Sequence, residues 1–255
     1  MLRVSTVGQL PAAPQFCQFH DSITPAVHSS ATVSFLVKSK PRKRSKPAAK
    51  SPAAAVAYSL YSDRRFDIVA IGASAGGLHA LGMVLSPILV NFPASILVVQ
   101  HLDPHHKSLM GDLLGRQTKL RVKQAEHGEV ILPGVVYMAP PDEHLLAGPG
   151  KIQLAHSQLV HYSRPSIDLL FESVAGTYGS RSIGLVLSGS NRDGAAGVRA
   201  IREAGGTTLA QQPDRAEFKT MPEAAIATGC VDLVIDLPEL ASVLTQLCLG
   251  TRVLR

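Results

Sequence analysis

Three polar residues of this sequence, Ser74, His101 and Asp193, are of the types that together carry nucleophilic chemistry. Ser74 sits in Ile71-Gly72-Ala73-Ser74-Ala75-Gly76-Gly77, directly after the apolar run Phe66-Asp67-Ile68-Val69-Ala70. The spelling Gly72-x-Ser74-x-Gly76 is that of a nucleophile elbow, where a strand breaks into a sharp turn and lifts a serine hydroxyl above a sheet edge. Small residues on both sides of Ser74 allow such a turn without a Cβ clash. His101 follows a second apolar run at 96–100. Asp193 lies in Leu187-Ser188-Gly189-Ser190-Asn191-Arg192-Asp193-Gly194, just past a third run at 182–187. A serine becomes a nucleophile when an imidazole takes its proton, and a carboxylate orients that imidazole and stabilises its cation. Taken singly, each residue is commonplace. A glycine-rich turn more often cradles phosphate, a lone histidine is more often structural, and Asp-Gly is usually a turn. Their shared placement past three buried strands is what points to acyl transfer. The order along the chain is Ser, His, Asp, whereas α/β-hydrolases run Ser, Asp, His. The elbow therefore does not predict an ordinary lipase or esterase.

The elements that must position these residues alternate along the chain. Strands are predicted at 66–71, 96–100, 182–187, 207–210 and 233–235. Helices are predicted at 77–86, 107–116, 166–178, 194–204, 222–228 and 237–249. The stretch 130–154 is broken by Pro133-Gly134, Pro140-Pro141 and Gly148-Pro149-Gly150, which reads as short strands or hairpins. Apolar strands alternating with helices predict an α/β fold: a three-layer α/β/α, Rossmann-like sandwich with a mostly parallel sheet and a β-hairpin excursion. In such sheets, sites collect at the carboxyl ends of the strands.

Charge divides the chain. Residues 1–60 hold 8 basic and 1 acidic residue (+7), and residues 61–255 hold 17 and 18 (−1). The net charge of +6 therefore describes a basic tail, and no nucleic-acid partner is predicted. Domain boundaries follow: a basic Pro/Ala/Ser-rich tail over 1–62 and a catalytic domain over 63–250. Within the tail, Lys38-Ser39-Lys40-Pro41-Arg42-Lys43-Arg44-Ser45-Lys46 is of a kind that contacts anionic membrane, although a passive tether is the preferred reading. Cys17, Cys230 and Cys248 are too scattered for a disulfide framework or a zinc site. His101, His105 and His106 cluster without a carboxylate at firm ligand spacing, so neither a metal nor a cofactor is expected. No apolar run reaches the roughly 18 residues of a membrane span. Gly8, Gln9, Pro11 and Pro14 interrupt any signal-peptide core. The protein is read as cytoplasmic, with no integral membrane segment.

Six motifs carry a resemblance. They are Val69-Ala70-Ile71-Gly72-Ala73-Ser74-Ala75-Gly76-Gly77, Val99-Gln100-His101-Leu102-Asp103, Tyr137-Met138-Ala139-Pro140-Pro141-Asp142-Glu143-His144, Arg164-Pro165-Ser166-Ile167-Asp168, Leu187 through Ala195, and Met221-Pro222. In this order they are similar to the catalytic domain of chemotaxis-specific protein-glutamate methylesterases, the CheB family. The resemblance implies hydrolysis of glutamate methyl esters on chemoreceptors and, in many members, deamidation of receptor glutamines. It implies Ser74 as nucleophile, His101 as base and then acid, and Asp193 as its orienter. It also implies oxyanion donors at the Ala75 and Ser190 backbone N–H groups, and a substrate cleft at Met221 and Pro222. The partner would be a methyl-accepting chemoreceptor or a related signalling protein. Three positions depart from the family pattern. Ala75 stands where some members have threonine, Asn191-Arg192 where Gly-Asn is common, and Glu223 where a basic residue is common. The 60 residues before the domain are too few for the family's receiver, so a receiver-less form is expected.

Two other readings compete. Gly72-x-x-x-Gly76-Gly77 after a first strand loosely spells a dinucleotide site, but Ser74 occupies the place of the glycine needed for close pyrophosphate approach. A non-catalytic domain that keeps the methylesterase fold and binds a receptor or partner is the other. The departures at Asn191 and Arg192 allow it.

Overall fold

The computed structural model describes residues 66–101, 109–160 and 162–250. The expected tail, and His105 and His106, lie outside the described residues.

The first strand shows why these segments fold as they do. β1 (Ile68–Ala73) is buried along its whole length. Val69, Ile71 and Ala73 face one apolar cluster, and Ile68 and Ala70 face another. Alternate side chains of a strand point to opposite faces, so a strand covered on both sides must be apolar throughout. β2 (Ser95–Gln100) and β7 (Ser182–Val186) are likewise buried at every position. They pair in parallel on either side of β1.

The main sheet has seven strands in the order β3-β4-β2-β1-β7-β8-β9, completed by β3 (Arg121–Gln124), β4 (Val135–Met138), β8 (Thr207–Gln211) and β9 (Leu233–Ile235). Every pairing in it is parallel. A separate antiparallel hairpin joins β5 (His144–Gly148) to β6 (Lys151–Ala155). On one face lie α1 (Gly77–Leu85), α2 (Met110–Gly115) and α6 (Leu240–Leu249), which bury Leu81, Leu114 and Leu244 among others. The other face carries α3 (Ile167–Tyr178), α4 (Ala195–Glu203), α5 (Thr220–Ala227) and the hairpin, and buries Phe171, Val198, Met221 and Leu145. This is the three-layer α/β/α sandwich with a hairpin excursion. Strand order runs outward in both directions from β1 and β7, so the topological switch point falls between them. Crevices for ligands open there, past the carboxyl ends of the strands.

Differences from the sequence reading are local. β1 continues two residues further than predicted, through Gly72 and Ala73. Gly72 belongs to the strand, pairing with Val99 and Val186, and it is glycine because a Cβ there would collide with Ile167 of α3. β3 was not anticipated. It is the sheet edge, its residues are exposed or half-buried, and Val122 is its one apolar residue, so it lacks an apolar run; charged edges also discourage pairing with another chain. Val135–Met138 belongs to the main sheet, which leaves only β5 and β6 as the hairpin. Residues 237–239 form a 3-10 turn ahead of α6, with Pro238 near its start.

Candidate active site

Ser74 is the first residue past β1, and the turn carrying it is fastened at each peptide. Its N–H donates to the Ser188 carbonyl (3.0 Å), and its own carbonyl accepts from the Gly77 N–H (2.8 Å) and from Gln100 Nε2 (2.7 Å). The Ser188 hydroxyl donates to the Ala75 carbonyl (2.8 Å). Gly76 has φ of 74°, a left-handed conformation that favours glycine. Gly77 opens α1 with its Cα against Gln100 Oε1, so a Cβ there would overlap that oxygen. Gln100 cannot give way, because it is buried and its Nε2 is committed to the Ser74 and His101 carbonyls. Gly77→Ala is therefore expected to cost about 2 kcal/mol, as overpacking does, and to displace Ser74. Chemical denaturation checks the first effect. A variant as stable as the parent would show that Gln100 is not the fixed strut described.

His101 follows β2, and its N–H donates to the Ala73 carbonyl (3.1 Å), which ties it beside the elbow. Its ring Nε2 is 2.9 Å from Asp193 Oδ2. Asp193, in the loop between β7 and α4, is 1 % exposed. Its carboxylate sits on the N-terminus of α3 and accepts from the Ile167 N–H (2.7 Å), the Asp168 N–H (2.9 Å) and the Ser166 hydroxyl (3.1 Å). The first N–H groups of a helix have no partner within the helix, and its dipole favours an anion there. Burial opposes the charge most strongly, but the hydrogen bonds from His101, Ile167 and Asp168 outweigh it and hold the carboxyl below its ordinary value of 3.8. Stability from this lowered pKa is fully present above 3.8 and is lost as pH falls through the folded-state value. Unfolding midpoints followed below pH 3.8 should fall more steeply for the parent than for Asp193→Asn. Parallel curves would remove Asp193 from the acid transition.

The Ala75 and Ser190 backbone N–H groups find no acceptor among the described residues. A free backbone N–H next to a serine hydroxyl, as at Ala75, is the kind of donor that can bind an oxygen gaining charge. A cleft of about 790 Å³ opens beside Ser74, with His79, Met83, Gln100, Met110 and Glu217 in its walls. Met221 and Pro222 are buried and do not line this cleft. Met221 packs under Gly189, whose Cα has no room for a Cβ over the Met221 sulfur, and its N–H donates to the Gly189 carbonyl (2.9 Å). Met221 thus supports from below the loop that carries Ser190. The sequence reading did not single out Asn191 as a site residue, although its Nδ2 lies 3.1 Å from His101 Nδ1. It also missed Ser166, the N-cap of α3. A Ser-x-Asp step opening an apolar helix is a capping signal, but nothing local says what else the cap will hold.

The fold is a parallel α/β sandwich that places Ser74, His101 and Asp193 past the carboxyl ends of neighbouring strands, the layout of an α/β hydrolytic domain. Residues 69–244 match the family model described as CheB methylesterase, and the chain belongs to that family. It is similar to a putative protein-glutamate methylesterase/protein-glutamine glutaminase of Leptospira interrogans, 37 % identical over 71 % of this chain and 95 % of that protein. A protein-glutamate methylesterase/protein-glutamine glutaminase of Escherichia coli is 41 % identical over 68 % of this chain and 51 % of its own length. One from Anaeromyxobacter dehalogenans is 40 % identical, over 72 % and 54 %. The chain thus spans about half the length of the last two. The crystal structure of the Thermotoga maritima CheB methylesterase catalytic domain superposes with a TM-score of 0.69 at 35 % identity, covering 71 % of this chain and 98 % of that one. Among the described residues no helix is long and apolar enough to cross a membrane.

Proposed function

We propose that this protein hydrolyses glutamate methyl esters on a chemoreceptor or related signalling protein, and deamidates glutamines at such sites, through an acyl-enzyme on Ser74. The observation that carries the reading is the His101–Asp193 pair beside the elbow. Nε2 donates to an ionised carboxylate, so Nδ1 holds the lone pair and is the basic nitrogen. In the first half-reaction, Ser74 Oγ bonds to the ester carbon and its proton passes to His101 Nδ1. The carbonyl oxygen becomes an oxyanion bound by the Ala75 and Ser190 N–H groups. Collapse breaks the bond to the methoxy oxygen, which takes the proton from His101 and leaves as methanol. A glutamine would release ammonia instead. Water then attacks the acyl-enzyme by the same path, freeing the glutamate carboxylate and restoring Ser74. Asp193 stays ionised throughout and stabilises the imidazolium.

The direct test is methanol release from methylated chemoreceptor membranes, with receptor mass falling by one methylene per event. No release, together with no labelling of Ser74 by a fluorophosphonate, would instead favour a binding domain that keeps the fold. The basic segment before the domain is proposed to be a passive tether of a cytoplasmic enzyme. Deleting residues 1–62 should leave catalytic rate and Tm close to those of the full chain. Loss of binding to anionic vesicles on that deletion, strongest at low salt, would assign the segment to membrane contact.

A further inference from the structure

The His101 ring makes two hydrogen bonds among the described residues, and neither reaches Ser74. Nε2 meets Asp193 Oδ2 at 2.9 Å, and Nδ1 meets Asn191 Nδ2 at 3.1 Å. The carboxamide of Asn191 is fixed at its other end, where Oδ1 accepts the Asp193 N–H at 3.2 Å. Turning the amide over would set its NH₂ against that N–H and its oxygen against the Nδ1 lone pair, so both ends favour the same orientation. An imidazole nitrogen of this kind has a single in-plane lone pair and accepts one well-aligned hydrogen bond. With His101 Nδ1 as the acceptor of the Ser74 proton, Asn191 and the Ser74 hydroxyl compete for the same electron pair.

We infer that Asn191 is a positioning residue that engages the basic nitrogen of His101 in the free enzyme and restrains activation of Ser74 until substrate displaces its carboxamide. This rests on the assignment of His101 as the base for Ser74. Both side-chain bonds of Asn191 go to the His101–Asp193 pair, so it reads the state of that pair directly. It also selects the tautomer: a donor at Nδ1 requires the lone pair there and the proton on Nε2, facing Asp193. Substrate in the cleft would bring an acyl carbon to Ser74 and shift the balance of that competition toward the hydroxyl.

The test uses the full chain and a small fluorophosphonate. Its reaction forms a bond from Ser74 Oγ to phosphorus, expels fluoride, and sends the serine proton to His101. Asn191→Gly removes the competitor, and labelling should accelerate about fivefold, as loss of one ordinary hydrogen bond implies. Asn191→Asp keeps the shape but offers only acceptors. It draws a proton onto Nδ1 and should slow labelling about tenfold. Equal rates in all three proteins, or slower labelling in Asn191→Gly, would overturn the inference. A second readout does not need Ser74. In the Ser74→Ala background, the Nδ1 nitrogen resonance of neutral His101 should move toward that of an imidazole nitrogen without a hydrogen bond when Asn191 becomes glycine. An unmoved resonance would overturn the inference even if the parent is never labelled. A parent that resists labelling while this resonance moves would instead count against Ser74 as nucleophile and leave Asn191 bound to the ring as described.

Discussion

Ser74→Ala should leave a folded protein that releases no measurable methanol, a loss on the order of 10⁴-fold or more in kcat, since a missing nucleophile disables the whole relay. The hydroxyl makes no hydrogen bond among the described residues; the bonds that fasten the turn belong to the Ser74 backbone. An alanine there keeps every one of them, and its methyl fits where the serine Cβ already lies. Tm should therefore stay close to the parent value while activity disappears. Methanol assay and thermal unfolding on one preparation separate the two effects. Retention of a tenth of the parent rate would show that another group attacks the ester.

Asp193→Ala should fail differently, losing rate and stability together. The rate loss is expected on the order of 10⁴-fold, because the imidazole loses the group that fixes its tautomer and stabilises its cation. The stability loss is expected at about 3 kcal/mol, because the Ile167 and Asp168 N–H groups and the Ser166 hydroxyl lose a buried acceptor. Combined with Ser74→Ala, the change should cost almost no further rate, since the residues act as a unit, yet its full cost in stability should remain. Denaturant midpoints of both single variants and the double variant decide this. A double variant as stable as Ser74→Ala alone would sink the role given to Asp193 as an acceptor for α3.

The parts legible in the sequence were those written in short apolar runs. β1, β2 and β7 are covered on both faces, so each is a largely apolar word; Ser74 and His101 follow the first two directly, and Asp193 lies in the loop after the third. β3 was illegible because this edge strand half-buries a single apolar side chain, Val122, and Arg121, Lys123 and Gln124 give no apolar period. Met221 and Pro222 were assigned to the cleft by resemblance. Met221 packs beneath Gly189 through a contact between α5 and the β7 loop, which no local pattern announces. Asn191 was noticed as a departure from a glycine. Its meaning required the ring of His101, 90 residues earlier in the chain, to be placed beside it.

The fastening of the elbow to β7 also sets when in folding the chain can become active. The Ser188 hydroxyl reaches Ala75 across 113 residues, and His101 reaches Asp193 across 92. Contacts at such separation carry the largest loop-closure cost and form slowly. During refolding, then, helical signal from α1 or α3 can recover while the serine is still without its partners. A chain interrupted before β7 carries the elbow, with Gln100 and the Ala73 carbonyl to tie Ser74 and His101 together, yet lacks Asp193 and the Ser188 contacts that complete the site. Recovery of activity is thus a late clock for this fold, one that strikes only when its two halves have met along β1 and β7.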